Sequence, residues 1–264
     1  MRRWNIPRAA AFFAVTALSC ASAGAITLDW DTNTWTNANN GNVQANSFDV
    51  DPNNAGNDVT IDFSGQTSKL RTEPVSGTQT PAVMSTLTGG LTPVEKSLHV
   101  YASVGTQTQI TVSVTFAASY VKGVEGVSFK LFDIDKGSDS EYVKTIYGIG
   151  LDGTQVPATI TEVGPSVSLS NPGSLSQQLT GIAPAGDTTG DGNATISFAV
   201  PITGFTFTFD NSQGPPRVQE FALYDISFSP VPEMNPALSA AVSCFAAIGL
   251  VFHHRARVRR AGRK

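Results

Sequence analysis

The sequence predicts an all-β protein: a two-sheet antiparallel β-sandwich of jelly-roll type, set between an N-terminal leader helix and a single C-terminal membrane helix. Short segments of alternating, β-branched residues recur from residue 26 to residue 230, and no helix-length apolar pattern interrupts them. Turn chemistry separates these segments. Asn39 to Gly41, Asp51 to Asn54, Asp152-Gly153, Asn171 to Gly173 and Asp191-Gly192 supply residues that tolerate positive φ or fix a turn. The two ends differ from everything between them, each joining an apolar run to a cluster of arginines.

Met1 to Arg8 is a basic n-region, Ala9 to Leu18 a short apolar h-region, and Ala21 to Ala23 or Ala23 to Ala25 a small-residue cleavage site. Residues 1–25 therefore read as a signal peptide and the protein as exported. Ala17 stands where a lipoprotein box ending at Cys20 would need Leu. Cleavage near Ala25 removes Cys20, and the other cysteine, Cys244, sits in the C-terminal apolar run. The exported domain, 26–230, then contains no cysteine, and it is long enough to bury a core without a disulfide.

Within it, alternation marks strands at Asp58 to Phe63, Ser97 to Ser103, Gln109 to Phe116, Gly126 to Asp133, Val143 to Leu151, Thr159 to Val163, Ala194 to Val200, Gly204 to Phe209 and Glu220 to Phe228. In Phe205 to Phe209 three aromatics share one face and two threonines the other. Val127, Phe129, Leu131 and Asp133 likewise share a face, so the carboxylate of Asp133 leaves the core at the strand's end. Gly164 to Gly192, rich in Ser, Pro, Gly and Thr, reads as a long surface excursion.

From Ile26 to Ser229 there are twenty Asp and Glu against eight Lys and Arg, a net of −12. That excludes nucleic acid as a partner, because counterion release needs a basic surface, and it suits divalent cations or simple solubility. The densest acidic run is Asp133, Asp135, Asp139 and Glu141, which offers hard oxygen ligands of the kind calcium takes. Gly186 to Asn193 partly matches a calcium loop through Asp187 and Asp191, but its twelfth position is Phe198 and no helices flank it. This excludes an EF-hand and leaves a calcium turn or an ordinary Asp-Gly turn. The run from Asp133 to Glu141 also reads as a polar strand end and turn with its carboxylates in water. Trp30 and Trp35, beside Asp29 and Asp31, could stack on sugar rings or pack at the core's edge.

An enzyme is not expected. His99 is the only histidine outside the tail, and no Gly-x-Ser-x-Gly or His-Glu-x-x-His occurs. A glycoside hydrolase using Asp133 with Asp135 or Glu141 is a distant third reading, since neighbours on one strand end seldom flank a sugar from opposite sides.

Residues 231–264 carry a motif at Val231, Pro232, Glu233 and Pro236, an apolar run at 237–252 and a basic end at 253–264. The sixteen uncharged residues from Ala237 to Phe252 cover about 24 Å of a ~30 Å hydrocarbon core, and the stems of Arg255 and Arg257 can snorkel across part of the difference. Six of the chain's seventeen basic residues follow, which keeps that end cytoplasmic and the domain outside. This tail resembles the PEP-CTERM sorting signal of bacterial surface proteins, with Met234-Asn235 where the family's motif places its second proline. The resemblance implies an exosortase-type processing enzyme as partner and a cell-envelope or matrix location.

Leu28 to Asp31 with Trp35, Thr88 to Leu91 with Glu95, Val127 to Asp135, Ala194 to Phe198 and Ile226 to Phe228 resemble a recurrent bacterial surface domain found ahead of such tails. What it implies is a lectin-like or galactose-binding-like β-sandwich with no established reaction. The expected function is thus a noncatalytic envelope protein associated with extracellular matrix or polysaccharide. The alternative is a calcium-supported carbohydrate-binding module.

Overall fold

A computed structural model describes residues 24–36, 43–105, 109–211 and 217–232. Residues 1–23 of the leader predicted at 1–25, the motif residues Glu233 and Pro236, the apolar run at 237–252 and the basic end lie outside the described residues. No described helix is long and apolar enough to cross a membrane.

The alternating segments pair into two antiparallel sheets. One contains β1 (Ile26–Leu28), β4 (Ala82–Met84), β5 (Ser97–Val104), β7 (Val124–Phe132), β10 (Thr159–Thr161), β13 (Ala194–Ser197), β15 (Arg217–Leu223) and β16 (Ile226–Pro230). The other contains β2 (Asn46–Phe48), β3 (Val59–Gly65), β6 (Ile110–Phe116), β8 (Tyr142–Ile149), β9 (Gln155–Pro157), β11 (Val167–Ser170), β12 (Gln178–Gly181) and β14 (Gly204–Asp210). The predicted strands recur with shifts of up to three residues at their ends. The two-sheet antiparallel sandwich expected from the alternation is therefore the fold.

Two expectations are corrected. The segment read as one strand from Glu220 to Phe228 is broken at Tyr224-Asp225 into β15 and β16, although both pieces run along the same edge of β7. The break lets β15 pair with β5 and β16 with β1 on their far edges. The Gly164 to Gly192 excursion is only partly a loop, because it contains the hairpin of β11 and β12, which extends the second sheet through β8. The amide of Gln177, wholly buried at the start of β12, donates to the carbonyls of Ile146 and Ala158 at 3.1 Å each and fastens that hairpin down.

Phe205, Phe207 and Phe209 all point inward from β14, as the alternation requires, and meet the facing sheet. The ring of Phe129 on β7 stacks on Phe205 at 4.4 Å, and Phe221 on β15 closes on Phe209 at 4.6 Å. The intervening threonines are also covered, being on the central strand of their sheet: Thr206 donates to the Val112 carbonyl at 2.9 Å, and Thr208 shares a 3.1 Å hydrogen bond with Thr111.

The register fixes the molecule's two poles. Ile26 pairs with Phe228 and Pro230 with Val124, so the chain enters β1 and leaves β16 at one pole. The Val231 amide extends that pole by bonding the Gly123 carbonyl at 3.1 Å. Asp133 lies nine residues along β7 from Val124, which at ~3.3 Å per residue puts it about 30 Å away, at the opposite pole.

Phe129→Ala should cost about 3–5 kcal/mol, the loss for a buried Phe whose cavity cannot collapse, and lower the melting temperature by roughly 10 °C. Calorimetry of the full chain checks it; a loss of under about 1 kcal/mol would mean that the Phe129 and Phe205 stack does not organise the core.

Candidate functional site

β7 stops at Phe132 because Asp133 takes a left-handed backbone, φ 63°, a conformation that Asp tolerates better than most residues. The chain then turns back through residues 134–141 to start β8 and leaves a cavity of about 250 Å³ at this pole. Asp133, Asp135 and Glu141 line it from this turn, Asp187 from the loop before β13, and Tyr101 and Glu220 from neighbouring strands β5 and β15. The two acidic segments that the sequence presents separately are thus brought together. Ile134 donates to the Gly192 carbonyl at 2.9 Å, which sets the Asp187 loop against the end of β7. Close approach also depends on Gly181, where a Cβ would lie 1.6 Å from the Asp135 carbonyl oxygen.

The carboxylates have different tasks. Glu141 is buried, and its two oxygens accept the backbone N–H groups of Asp135 and Glu220 at 3.1 Å each, so it braces the turn against β15. Asp135 accepts the Ala185 N–H at 2.8 Å and holds the loop. Asp133, only 8% exposed, accepts no hydrogen bond from the described residues. Carboxylate oxygens of Asp133, Asp187 and Glu220 all lie within 4.8 Å of one another. Glu220 is oriented from behind by His99, whose Nε2 donates to it at 2.7 Å while Nδ1 meets the Thr86 hydroxyl at 3.1 Å. His99 is itself buried, as a packed residue.

Among the described residues, no lysine or arginine lines the cavity. Burial, and then the negative charges of Glu220, Asp135 and Asp187, push the Asp133 carboxyl up to about 8. Burial also lifts Glu141 well above the usual carboxylate range, against the opposing effect of its N–H partners. Asp135 is raised by burial too, despite the Ala185 hydrogen bond.

Four sequence-predicted residues do not belong to this centre. Asp139 lies outside the cavity lining and pairs with Arg217 at 3.3 Å. Asp191 is exposed and outside the cluster, and its part in the fold is its carbonyl, which accepts the Ser166 N–H at 3.0 Å. The sugar platform proposed for Trp30 and Trp35 is not formed. Trp30 is wholly buried against Phe48, and Trp35, half-buried, packs edge-on to Phe63, because the apolar rings fill the end of the core. Conversely, Glu220 and Tyr101 escaped the sequence reading, since a lone Glu in the stretch from Val218 to Phe228 carries no motif.

Trp30 does mark a second acidic group. Its backbone N–H donates to Asp225 at 3.0 Å. Burial, then repulsion from Asp29, Glu95 and Asp31, raises the Asp225 carboxyl from its ordinary 3.8 to about 6, outweighing that hydrogen bond. Because the folded value is the higher one, protonation of Asp225 stabilises the fold. That contribution is complete below pH 3.8 and is lost as pH rises through about 6. Asp225→Asn, which keeps an oxygen for the Trp30 N–H, should therefore raise stability at pH 7 and flatten its decline between pH 4 and 6. Urea midpoints across that range check this; parallel pH profiles for the two proteins would contradict it.

The chain matches no protein-family model, no curated protein and no solved structure.

Proposed function

We propose that this chain is a noncatalytic exported protein of the bacterial cell envelope, which displays an acidic β-sandwich to extracellular matrix or polysaccharide from a membrane tether. The observation that carries this reading is the polarity of the sandwich. The chain enters at Ile26 and leaves at Pro230 on one pole, while the acidic cavity lies at the far end of β7. A domain held through residues 231–264 would then turn its cavity away from the bilayer. The charge layout agrees with it, an acidic domain followed by an apolar run and six basic residues. In this reading an exosortase-type enzyme recognises Val231, Pro232, Glu233 and Pro236.

The competing readings are less well supported. A carbohydrate-binding module loses its aromatic platform with Trp30 wholly buried and Trp35 half-buried against Phe63. In a glycoside hydrolase Asp135 or Glu141 would have to face a sugar beside Asp133, yet Asp135 accepts the Ala185 N–H and both Glu141 oxygens are engaged by backbone N–H groups.

Deletion of residues 231–264 in a bacterium that makes an exosortase should release the protein into the medium. Unchanged association of the truncated chain with the envelope, measured by fractionation and immunoblotting, would overturn the tethering.

A further inference from the structure

We propose that the cavity at the end of β7 binds one calcium ion through the carboxylates of Asp133, Asp187 and Glu220. Their oxygens lie within 4.8 Å of one another, the greatest separation that one cation can bridge with oxygens at about 2.4 Å on either side. Magnesium, with oxygens at about 2.0–2.1 Å in a strict octahedron, would have to draw the three groups closer together. Zinc is disfavoured by the donor set, which is all oxygen, because the one nearby imidazole is turned to Glu220.

Proximity of acids alone is common on protein surfaces, and two further observations distinguish this cluster. Asp133 is more than nine-tenths buried, lines the cavity and has no hydrogen-bond partner among the described residues. A buried carboxylate left without a donor is costly unless something positive faces it. Beside it, Gln219 also lines the cavity, and its buried Oε1 has no partner among the described residues while its Nε2 is held by the Asp139 carbonyl at 3.0 Å. The site is also built from behind: His99 fixes Glu220, as outer partners commonly orient metal ligands.

The three ligands come from three places, the end of β7, the loop before β13 and the middle of β15. One ion would therefore clip the loop onto the sheet. Calcium binding and tethering through the tail are independent properties, so either can fail alone.

Isothermal titration of the full chain in detergent with calcium chloride tests the proposal, with melting curves in calcium and in chelator. One site is expected, and a melting temperature higher by roughly 5–10 °C when free calcium is about a hundredfold above Kd. Asp187 is exposed, so Asp187→Asn leaves the core intact and should weaken binding by at least about tenfold, since carboxylate count sets calcium affinity. Glu220→Gln, which keeps an acceptor for His99, should do the same, and Asp191→Asn should change nothing. Absence of both heat and thermal shift in the native chain would overturn the proposal. So would native affinity in Asp187→Asn, or magnesium binding as tightly as calcium.

Discussion

Stacking between Phe129 and Phe205 sets the geometry on which the other features depend. It locks the central strand of one sheet over the strand that spans the other, and Phe207 and Phe209 extend the contact to Phe221. Rings packed at native density leave little freedom to slide, and a one-residue slip would turn every inward Phe outward. Once β7 is fixed in this way, its first residue lies beside the chain's exit and Asp133, just past its last, opens the acidic cavity. The pole-to-pole arrangement is thus a result of core packing.

The cavity shows the opposite balance, polar groups gathered where packing alone would not bring them. Two carboxylates within 4.8 Å repel by roughly 3–4 kcal/mol at an effective dielectric of about 20. The hydrogen bond that the Glu220 carboxylate accepts from His99 returns about 1.5–3 kcal/mol. Burial first, and then repulsion from neighbouring carboxylates, pushes the carboxyls of Asp133 and Glu141 upward, and a proton or the proposed cation would relieve it. Glu141 and Asp135, already committed to backbone N–H groups, keep the turn in place whichever arrives.

Period-two alternation was enough to read the long strands, because Phe205 to Phe209 and Val127 to Leu131 bury one face against the other sheet. Three-residue edges such as Ala82–Met84 and Asn46–Phe48 were not readable, since so short a segment carries no period and exists only because a neighbour pairs with it. At the site, Asp133 and Asp187 were visible as acids, but their meeting depends on the pairing of β13 with β7 and was not. Glu220 was hidden for the same reason. At Trp30 and Trp35 the aspartate and asparagine neighbours left a sugar platform open beside core packing, and the core's need for large rings at that end decided for packing.

The pairing of β16 with β7 has a mechanical side. A tether pulling at Val231 against a partner held at the far pole would draw β16 along its own axis. The hydrogen bonds from Ser227 to Pro230 and the β1 bonds on the other edge would then bear the strain in shear, all together. Peeling from an end would break them singly and at lower force. A strand loaded lengthwise between two neighbours thus resists a pull at the chain's exit better than one that can unzip.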